Sequence, residues 1–462
     1  MKIYNTMTRR IEEFIPLKEK QVSIYTCGPT VYNYAHIGNL RTFLFEDFLV
    51  RTFEFLGYNV ERVMNITDVG HLTSDNDEGE DKIELGAKKE GKTAWEIAEF
   101  YTNAFLKHFT ELNCKMPSYL PKATEHIKEM IDMIKKLEEK GYTYKTSDGI
   151  YFDTSKFKDY YKLAGKSHIE GIKKGARIEF SPEKRNPTDF ALWKFSPKDR
   201  KRHMEWNSPW GVGFPGWHIE CSSMSIKYLG QPFDIHCGGV DHITVHHTNE
   251  IAQAKAANDK EFVRYWMHAE FLVLKSNEKM SKSLGNFITL DTLKENGYNP
   301  LVYRYFCAQA HYRKQLEFSF EALDSAKNGF THLKNSISQI MEETDKIEVN
   351  KNLKYYKDFT DALSDDLNIP KGVSILWEVI KDKNINPSEK LGLISEFDRV
   401  LGFDLLKKQE EDIPAEILEL FNKRNEYRKQ KDYKKADEIR NIIKQKGYII
   451  EDTPKGSKLR KI

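Results

Sequence analysis

Cysteine is scarce in this chain: five residues, at 27, 114, 221, 237 and 307, odd in number and far apart. That spacing excludes a disulfide framework and fits a reducing compartment, with any special cysteine a metal ligand or a nucleophile. Long apolar runs are missing too. No stretch approaches a membrane span, and the first twenty residues carry no apolar signal core, so a cytoplasmic, membrane-free protein is expected. An excess of one charge is also lacking. The net charge is +2 with 31% of residues charged, which excludes a uniformly basic nucleic-acid coat but leaves room for a local basic patch. Repeats and low-complexity tracts are absent. What remains is an ordinary globular composition, and 462 residues are enough for about three domains.

The chain is organised around Tyr25–Asn39, YTCGPTVYNYAHIGN. Val22–Thr26 is short, apolar and β-branched, so it reads as a buried strand. Cys27-Gly28-Pro29 ends it. From Leu40 the apolar period becomes helical, through Phe43, Leu44 and Phe48, with Gly57 as the expected stop. His36-Ile37-Gly38-Asn39 thus falls at a helix N-terminus, where free N–H groups and the helix dipole suit phosphate. Taken alone, the tetrapeptide is more often a cap or a surface turn.

A second strand, Val60–Ile66, follows, then an acidic loop, Gly70–Asp81, read as a solvated connection, and helices at Ile83–Lys89 and Thr93–Leu112. Residues 114–206 change character. A helix at Ala123–Lys140 leads to a hairpin around Ser147-Asp148-Gly149, and Lys173–Lys201 is polar, basic and broken by prolines. Residues 207–290 return to α/β, with a helix at Trp217–Leu229, a strand at Phe233–Cys237, a helix over 242–257 and a strand at Phe271–Leu274. Beyond 290 the pattern is helical: Leu301–Ala310, Ser319–Met341, Asp358–Asp382, Glu389–Leu401 and two helices within Ile413–Lys446, before a basic tail, PKGSKLRKI. From Asn422 to Ile462 there are fourteen Lys and Arg against six Asp and Glu, a net +8. This is either a solvated face or a patch for RNA phosphate.

Two further groups carry chemistry. Lys279-Met280-Ser281-Lys282-Ser283 is a basic loop after a strand, able to wrap a polyphosphate and to oppose developing negative charge. His246 and Glu250 lie at i and i+4 on one helix face, good spacing for two ligands of one metal, although such pairs are common on surfaces. Cys27 and Cys221 lie in elements expected to flank the same strand ends. Spacing alone does not assemble these four, and His236, His242 and His247 compete for the imidazole.

HIGN and KMSKS together resemble the two signatures of class I aminoacyl-tRNA synthetases. TCGPTVY, YAHIGN, NITDV, DFALWK, PGWHIECS, EKMSKSLGN, DALSDDLN and ADEIRNIIKQKGYIIEDTPKG resemble the cysteinyl-tRNA synthetase family in particular, in family order from Tyr25 to Gly456. The resemblance implies an α/β fold: a Rossmann-like parallel-sheet catalytic domain (1–113 and 207–290) split by an insertion (114–206). A C-terminal all-α region follows, comprising a stem-contact region (291–345), an anticodon-binding bundle (346–404) and basic helices with a tail (405–462). It implies zinc on Cys27, Cys221, His246 and Glu250, and catalytic roles for His36, Asn39, Lys279 and Lys282. ATP contacts would also involve Gly38, Gly238, Gly239 and Asp241, and the amino-acid pocket Gly28, Thr30 and Trp217. The implied activity is two-step: cysteine and ATP, with magnesium, form cysteinyl-adenylate, which is transferred to the 3′ end of tRNA(Cys) by a monomer.

The chain departs from the family pattern at Asn33, at Thr248 and in the 70–81 loop. Two rivals are a cysteine ligase of small-thiol biosynthesis, which would not need so long a helical region, and a catalytically silent tRNA-binding paralogue, against which His36, Asn39, Lys279 and Lys282 weigh.

Overall fold

The computed structural model describes residues 1–70, 82–165, 183–197, 201–274, 287–407, 414–453 and 456–461. Three stretches read above lie outside them: the acidic loop beyond Gly70, parts of the Lys173–Lys201 block, and Lys279–Ser283 with Gly285. The chain divides into two compact units, Met1–Leu405 and Leu406–Ile462.

The first unit begins with a hairpin of β1 (Lys2–Asn5) and β2 (Arg10–Glu13), which has no strong alternation and was not expected. Then come β3 (Gln21–Thr26), α1 (Ile37–Phe55), β4 (Asn59–Met64), α2 (Lys82–Glu90), α3 (Ala94–Glu111) and α4 (Ile127–Glu139). Next are β5 (Thr143–Lys145), β6 (Gly149–Phe152), β7 (Phe190–Phe195), β8 (Gly213–Pro215), α5 (Trp217–Leu229), β9 (Phe233–Gly239), α6 (His246–Asn258), β10 (Val263–Ala269) and β11 (Leu272–Leu274). The unit ends with α7 (Leu290–Glu295), α8 (Pro300–Ala308), β12 (Leu316–Phe318), α9 (Phe320–Glu343), α10 (Lys354–Ser364), α11 (Ile369–Lys381) and α12 (Pro387–Leu401).

The central sheet is parallel, in the order β10-β9-β3-β4. Tyr25 sits between His236 of β9 and Val63 of β4, so β3 is covered on both edges. It is apolar for that reason: Val22, Ile24 and Tyr25 are almost fully buried. The chain runs from β3 through α1 to β4 on one side, and from β9 through α6 to β10 on the other. The strand order therefore reverses between β3 and β9, and a crevice opens at their carboxyl ends. The antiparallel sheet β5-β6-β7-β8 forms from the intervening segment, with β8, just past residue 206, as its last strand.

Helix α1 stops as its sequence predicts, with Leu56 as cap and Gly57 in the left-handed region at φ 86°. The helical stretch expected over Asp358–Asp382 falls in two helices, α10 and α11. They are separated by Asp366 and Leu367, both left-handed at φ 54° and 57°. The conformation is costly for Leu367 in particular. The Asp366 carboxylate offsets the cost by accepting from the Tyr4 amide (2.7 Å), the Tyr312 hydroxyl (2.7 Å) and Arg313 Nε (2.6 Å), so the DALSDDLN segment ties the helical region to β1.

A second tie is Arg304 of α8, which has no exposed surface. It donates to Asp47 of α1 (2.6 Å) and to the carbonyls of Leu112 (3.0 Å) and Leu401 (2.6 Å). Burial alone would raise the Asp47 carboxyl, but the Arg304 and Arg51 guanidiniums and the Lys115 amide hold it below its ordinary value.

The second unit packs α13 (Ala415–Lys429) and α14 (Tyr433–Gln445) against a hairpin of β13 (Tyr448–Thr453) and β14 (Gly456–Lys461). Its core is Ile417, Ile439, Ile443, Tyr448, Ile450 and Leu459. The final residues, expected as a basic tail, form a strand because Leu459 packs into this core. Arg424 fastens the hairpin by donating to both carboxylate oxygens of Asp452 (3.0 and 2.8 Å).

Arg304→Ala leaves Asp47 buried and half-neutralised and two carbonyls without their donor, so unfolding free energy should fall by about 3–5 kcal/mol. Chemical denaturation yielding less than about 1 kcal/mol would contradict this account.

Candidate active site and metal centre

The crevice between β3 and β9 holds a cavity of about 310 Å³. One wall is the loop after β3, from Cys27 to His36. Another comes from Gly239 at the end of β9 and Asp241 just beyond it, with Trp217 and Cys221 of α5, while Tyr101 and Phe105 of α3 close a further side. Gly28 cannot carry a side chain: a Cβ there would lie 1.6 Å from the Asn65 carbonyl oxygen. Its amide donates to Asn65 Oδ1 (2.9 Å), which fixes the turn out of β3.

His36 is the N-cap of α1. Its Nδ1 accepts the Asn39 amide (3.0 Å), and Asn39 Oδ1 accepts the His36 amide (3.2 Å), a reciprocal capping box. Burial lowers the His36 pKa, and with Nδ1 accepting, the proton of the neutral ring resides on Nε2. His36 Nε2 and Asn39 Nδ2 are thereby left as donors on two residues that line the cavity beside the α1 N-terminus. The Ile37 amide bonds the Ile288 carbonyl (2.9 Å), and the His36 ring meets Phe287 edge-on at 5.5 Å. Phe287 is the first described residue after the KMSKS stretch, and it lines the same cavity.

Cys27, Cys221, His246 and Glu250 converge beneath the cavity, with one ligand atom of each within 4.8 Å of the others. All four are buried, and all but Glu250 line the cavity. His246 Nε2 lies 3.4 Å from Cys221 Sγ and 3.2 Å from Glu250 Oε1. A second set overlaps it: Cys27, His236, His247 and Glu250. There His247 Nε2 is 3.3 Å from Cys27 Sγ, and His236 Nε2 is 3.0 Å from Glu250 Oε2.

Burial dominates the electrostatics. It raises the Glu250 carboxyl and the Cys27 and Cys221 thiols, and it lowers His247 and takes His236 to about 3. Among the described residues Glu250 Oε1 has no hydrogen-bond partner, with His246 Nε2 near it at 3.2 Å. A buried donor set of two thiols, one imidazole and one unsatisfied carboxylate oxygen fits a thiophilic divalent ion, whose charge would reverse these shifts. A third acidic group, His108, Glu111 and Asp291, already contains a cation: Lys294 Nζ lies 2.7 Å from Glu111 and 3.2 Å from Asp291.

Of the expected nucleotide residues, Gly239 and Asp241 reach the cavity and Gly238 does not line it. Gly238 makes room for imidazoles instead, because a Cβ there would meet His242 Nδ1 at 2.5 Å and the His247 ring at 2.8 Å. Gly28, Thr30 and Trp217 line the cavity, and the Trp217 ring packs 4.6 Å from that of His246. Gly38 is absent from the lining.

Sequence reasoning missed a chain of buried imidazoles. His246 Nδ1 meets His218 Nδ1 (3.0 Å), while His247 Nδ1 meets His268 Nε2 (2.8 Å) and His268 Nδ1 meets the Thr6 hydroxyl (2.8 Å). Such partners orient a ligating ring and set its tautomer. The one available signal was the number of histidines between 218 and 268, six of the chain's fourteen.

Residues 13–328 match the family described as tRNA synthetases class I (C) catalytic domain. A cysteine–tRNA ligase of Burkholderia lata is 47% identical over 99% of this chain and 96% of its own length. That of Treponema denticola is also 47% identical, over 98% of each. The chain belongs to the cysteine–tRNA ligase family. Among solved structures, this class I synthetase shares its fold with Mycobacterium tuberculosis methionyl-tRNA synthetase in complex with methionyl-adenylate (TM-score 0.54, 14% identity, 83% of this chain and 90% of that one). It also shares it with the Agrobacterium radiobacter K84 LeuRS–tRNA–LeuAMS complex (TM-score 0.60, 10% identity, 85% and 84%).

The capping box separates two roles of Asn39. Asn39→Asp keeps the Oδ1 acceptor and should unfold within a few tenths of a kcal/mol of the parent, whereas Asn39→Ala should lose about 0.5–1 kcal/mol. Equal losses in urea denaturation would mean that the side chain does not cap α1.

Proposed function

We propose that this chain ligates cysteine to tRNA(Cys), first forming cysteinyl-adenylate and pyrophosphate from cysteine and ATP, then transferring the cysteinyl group to the tRNA 3′ end. The observation that carries the reading is a thiol-compatible metal set opening into the same cavity as the α1 N-terminus. The amino acid and the triphosphate would then meet across one crevice, and positioning and charge stabilisation would supply the catalysis.

In this reading His36 Nε2 and Asn39 Nδ2 donate to ATP phosphate oxygens, joined by the α1 N-terminus. Asp241 and Gly239 border the adenosine. Lys279 and Lys282 oppose the charge that develops on the departing pyrophosphate, and Mg²⁺ accompanies ATP. Trp217, Thr30 and Gly28 bound the cysteine, with its sulfur directed at Cys27, Cys221, His246 and Glu250. Zinc bound by these four would supply thiolate-selective coordination, which a hydroxyl matches poorly, whereas an apolar pocket separates cysteine from serine only weakly. The first ligand set is favoured over the second because Cys221 and His246 border the cavity, while His236 and His247 are fully buried and do not line it.

The remaining assignments follow the same reading. Residues 1–113 and 207–290 are the catalytic domain and 114–206 the insertion, with β8 added to its sheet. Residues 291–345 contact the tRNA stem, 346–404 form the anticodon-binding bundle, and the basic 405–462 segment follows RNA phosphate, giving salt-dependent affinity. The protein acts as a cytoplasmic monomer. Among the described residues no helix is long and apolar enough to cross a membrane.

Charging of total tRNA with each of the twenty amino acids, with pyrophosphate exchange run beside it, should give cysteine alone. Lys282→Ala should slow exchange by roughly 10²–10³ with cysteine binding little changed. Exchange with another amino acid, or at a normal rate in the variant, would overturn the respective assignment.

Cobalt-substituted protein should show a thiolate-to-metal band that grows with cysteine and stays flat with serine. Cys221→Ser and His246→Ala should lose cobalt, and His236→Ala should retain it. The opposite pattern would assign the metal to the second set, and a band blind to cysteine would leave the ion a scaffold.

A further inference from the structure

Two of the large apolar side chains left exposed in the first unit lie on α3, the helix that also closes the cavity. Phe100 is 43% exposed and Trp95 48%. Phe100 belongs to a continuous set of rings. Tyr101 lines the cavity, and Tyr34, which also lines it, meets Tyr101 edge-on at 5.2 Å. Phe100 meets Tyr101 at 5.1 Å and Tyr34 at 6.1 Å, both edge-on. Lys92 Nζ stands 4.9 Å from the centre of the Phe100 ring. Behind Tyr34 the buried His108 ring lies nearly parallel at 6.2 Å, so the inner part of the set is backed by core. The sequence of groups from cavity to surface is therefore aromatic, aromatic, aromatic, cation.

We propose that Tyr101, Tyr34, Phe100 and Lys92 form a stacking track for the unpaired 3′ end of the tRNA, leading its terminal bases to the cavity. The inference rests on the ligase reading and adds a surface and named residues to it. Every nucleobase has a π face and every link of the strand carries a phosphate, so interleaved rings and a lysine match a single strand and do not select its sequence. An apolar protein partner would be matched less well: the rings continue directly into the cavity where the acyl group is transferred, and the outer end of the track is charged. Two-fifths of the Phe100 surface faces solvent, which leaves part of the residue open to a base.

The test uses the full chain. Phe100→Ala should raise the KM for tRNA on the order of 10-fold while cysteine-dependent pyrophosphate exchange stays at the parent rate, and Phe100→Tyr should restore the KM. Lys92→Ala should reduce the salt dependence of tRNA binding by about one phosphate contact. A short CCA-ended RNA carrying 2-aminopurine in place of the terminal adenine should be quenched on binding, and the quench should be lost in Phe100→Ala. This probe needs no charging activity. Failure of all cysteinylation with the quench intact would therefore indict the ligase reading and spare the track. An unchanged KM and quench, or exchange and KM failing together, would overturn the track. Binding of a protein in place of RNA at Phe100 would do so as well.

Discussion

Two parallel strands whose connections leave in opposite directions cannot be bridged at their carboxyl ends, and that gap is the constraint on which this molecule is built. β3 hands the chain to α1 on one side and β9 hands it to a short 3₁₀ turn (Val240–His242) and α6 on the other. The loops diverge, and the space between them becomes the cavity. Gly28 has to be glycine because the Asn65 carbonyl closes on it, and Gly238 because imidazoles crowd it. Cys27 and His246 approach one another because their elements border the same gap. The helical region is fastened to the back of this arrangement by Arg304 on Asp47 and by Asp366 on Tyr4, Tyr312 and Arg313.

The cavity joins two electrostatic environments that seldom coexist. At the α1 N-terminus, partly solvated donors face outward and suit an anion. A few residues away, burial drives Cys27, Cys221, His236, His247 and Glu250 toward their neutral forms, which suits a cation that brings its own charge. His36 and Cys27 belong to one loop, so the turn after β3 serves both environments.

What could be read from the chain follows from the range of the forces involved. β3, the start of α1 and its stop at Gly57 were legible because apolar period, Gly-Pro punctuation and capping are local. β10 was not: VRYWMHA is interrupted by Arg264 and His268, and its pairing with β9 is what makes it a strand. Nor was the break between α10 and α11, because the donors that meet the Asp366 carboxylate, from Tyr4, Tyr312 and Arg313, come from far along the chain. The ligand set was legible only through family resemblance, since Cys27 and Glu250 are more than two hundred positions apart and no spacing rule links them. The His218–His246 and His247–His268 contacts needed three-dimensional placement altogether.

The pairing of β3 with β9 also has a consequence in time. More than two hundred residues separate the end of one from the start of the other. At a synthesis rate of about 5–20 residues per second, roughly 10–40 s pass between the ribosome's release of β3 and the arrival of its partner. Until β9 arrives, the edge of β3 that carries Ile24 and Tyr25 is without its native partner, in a segment whose own sequence favours strand pairing. The interruption that places an antiparallel sheet between the two halves is thus also a delay during which the nascent chain is open to the wrong partner. A chaperone that shields extended apolar edges would act on this chain between the emergence of β4 and that of β9.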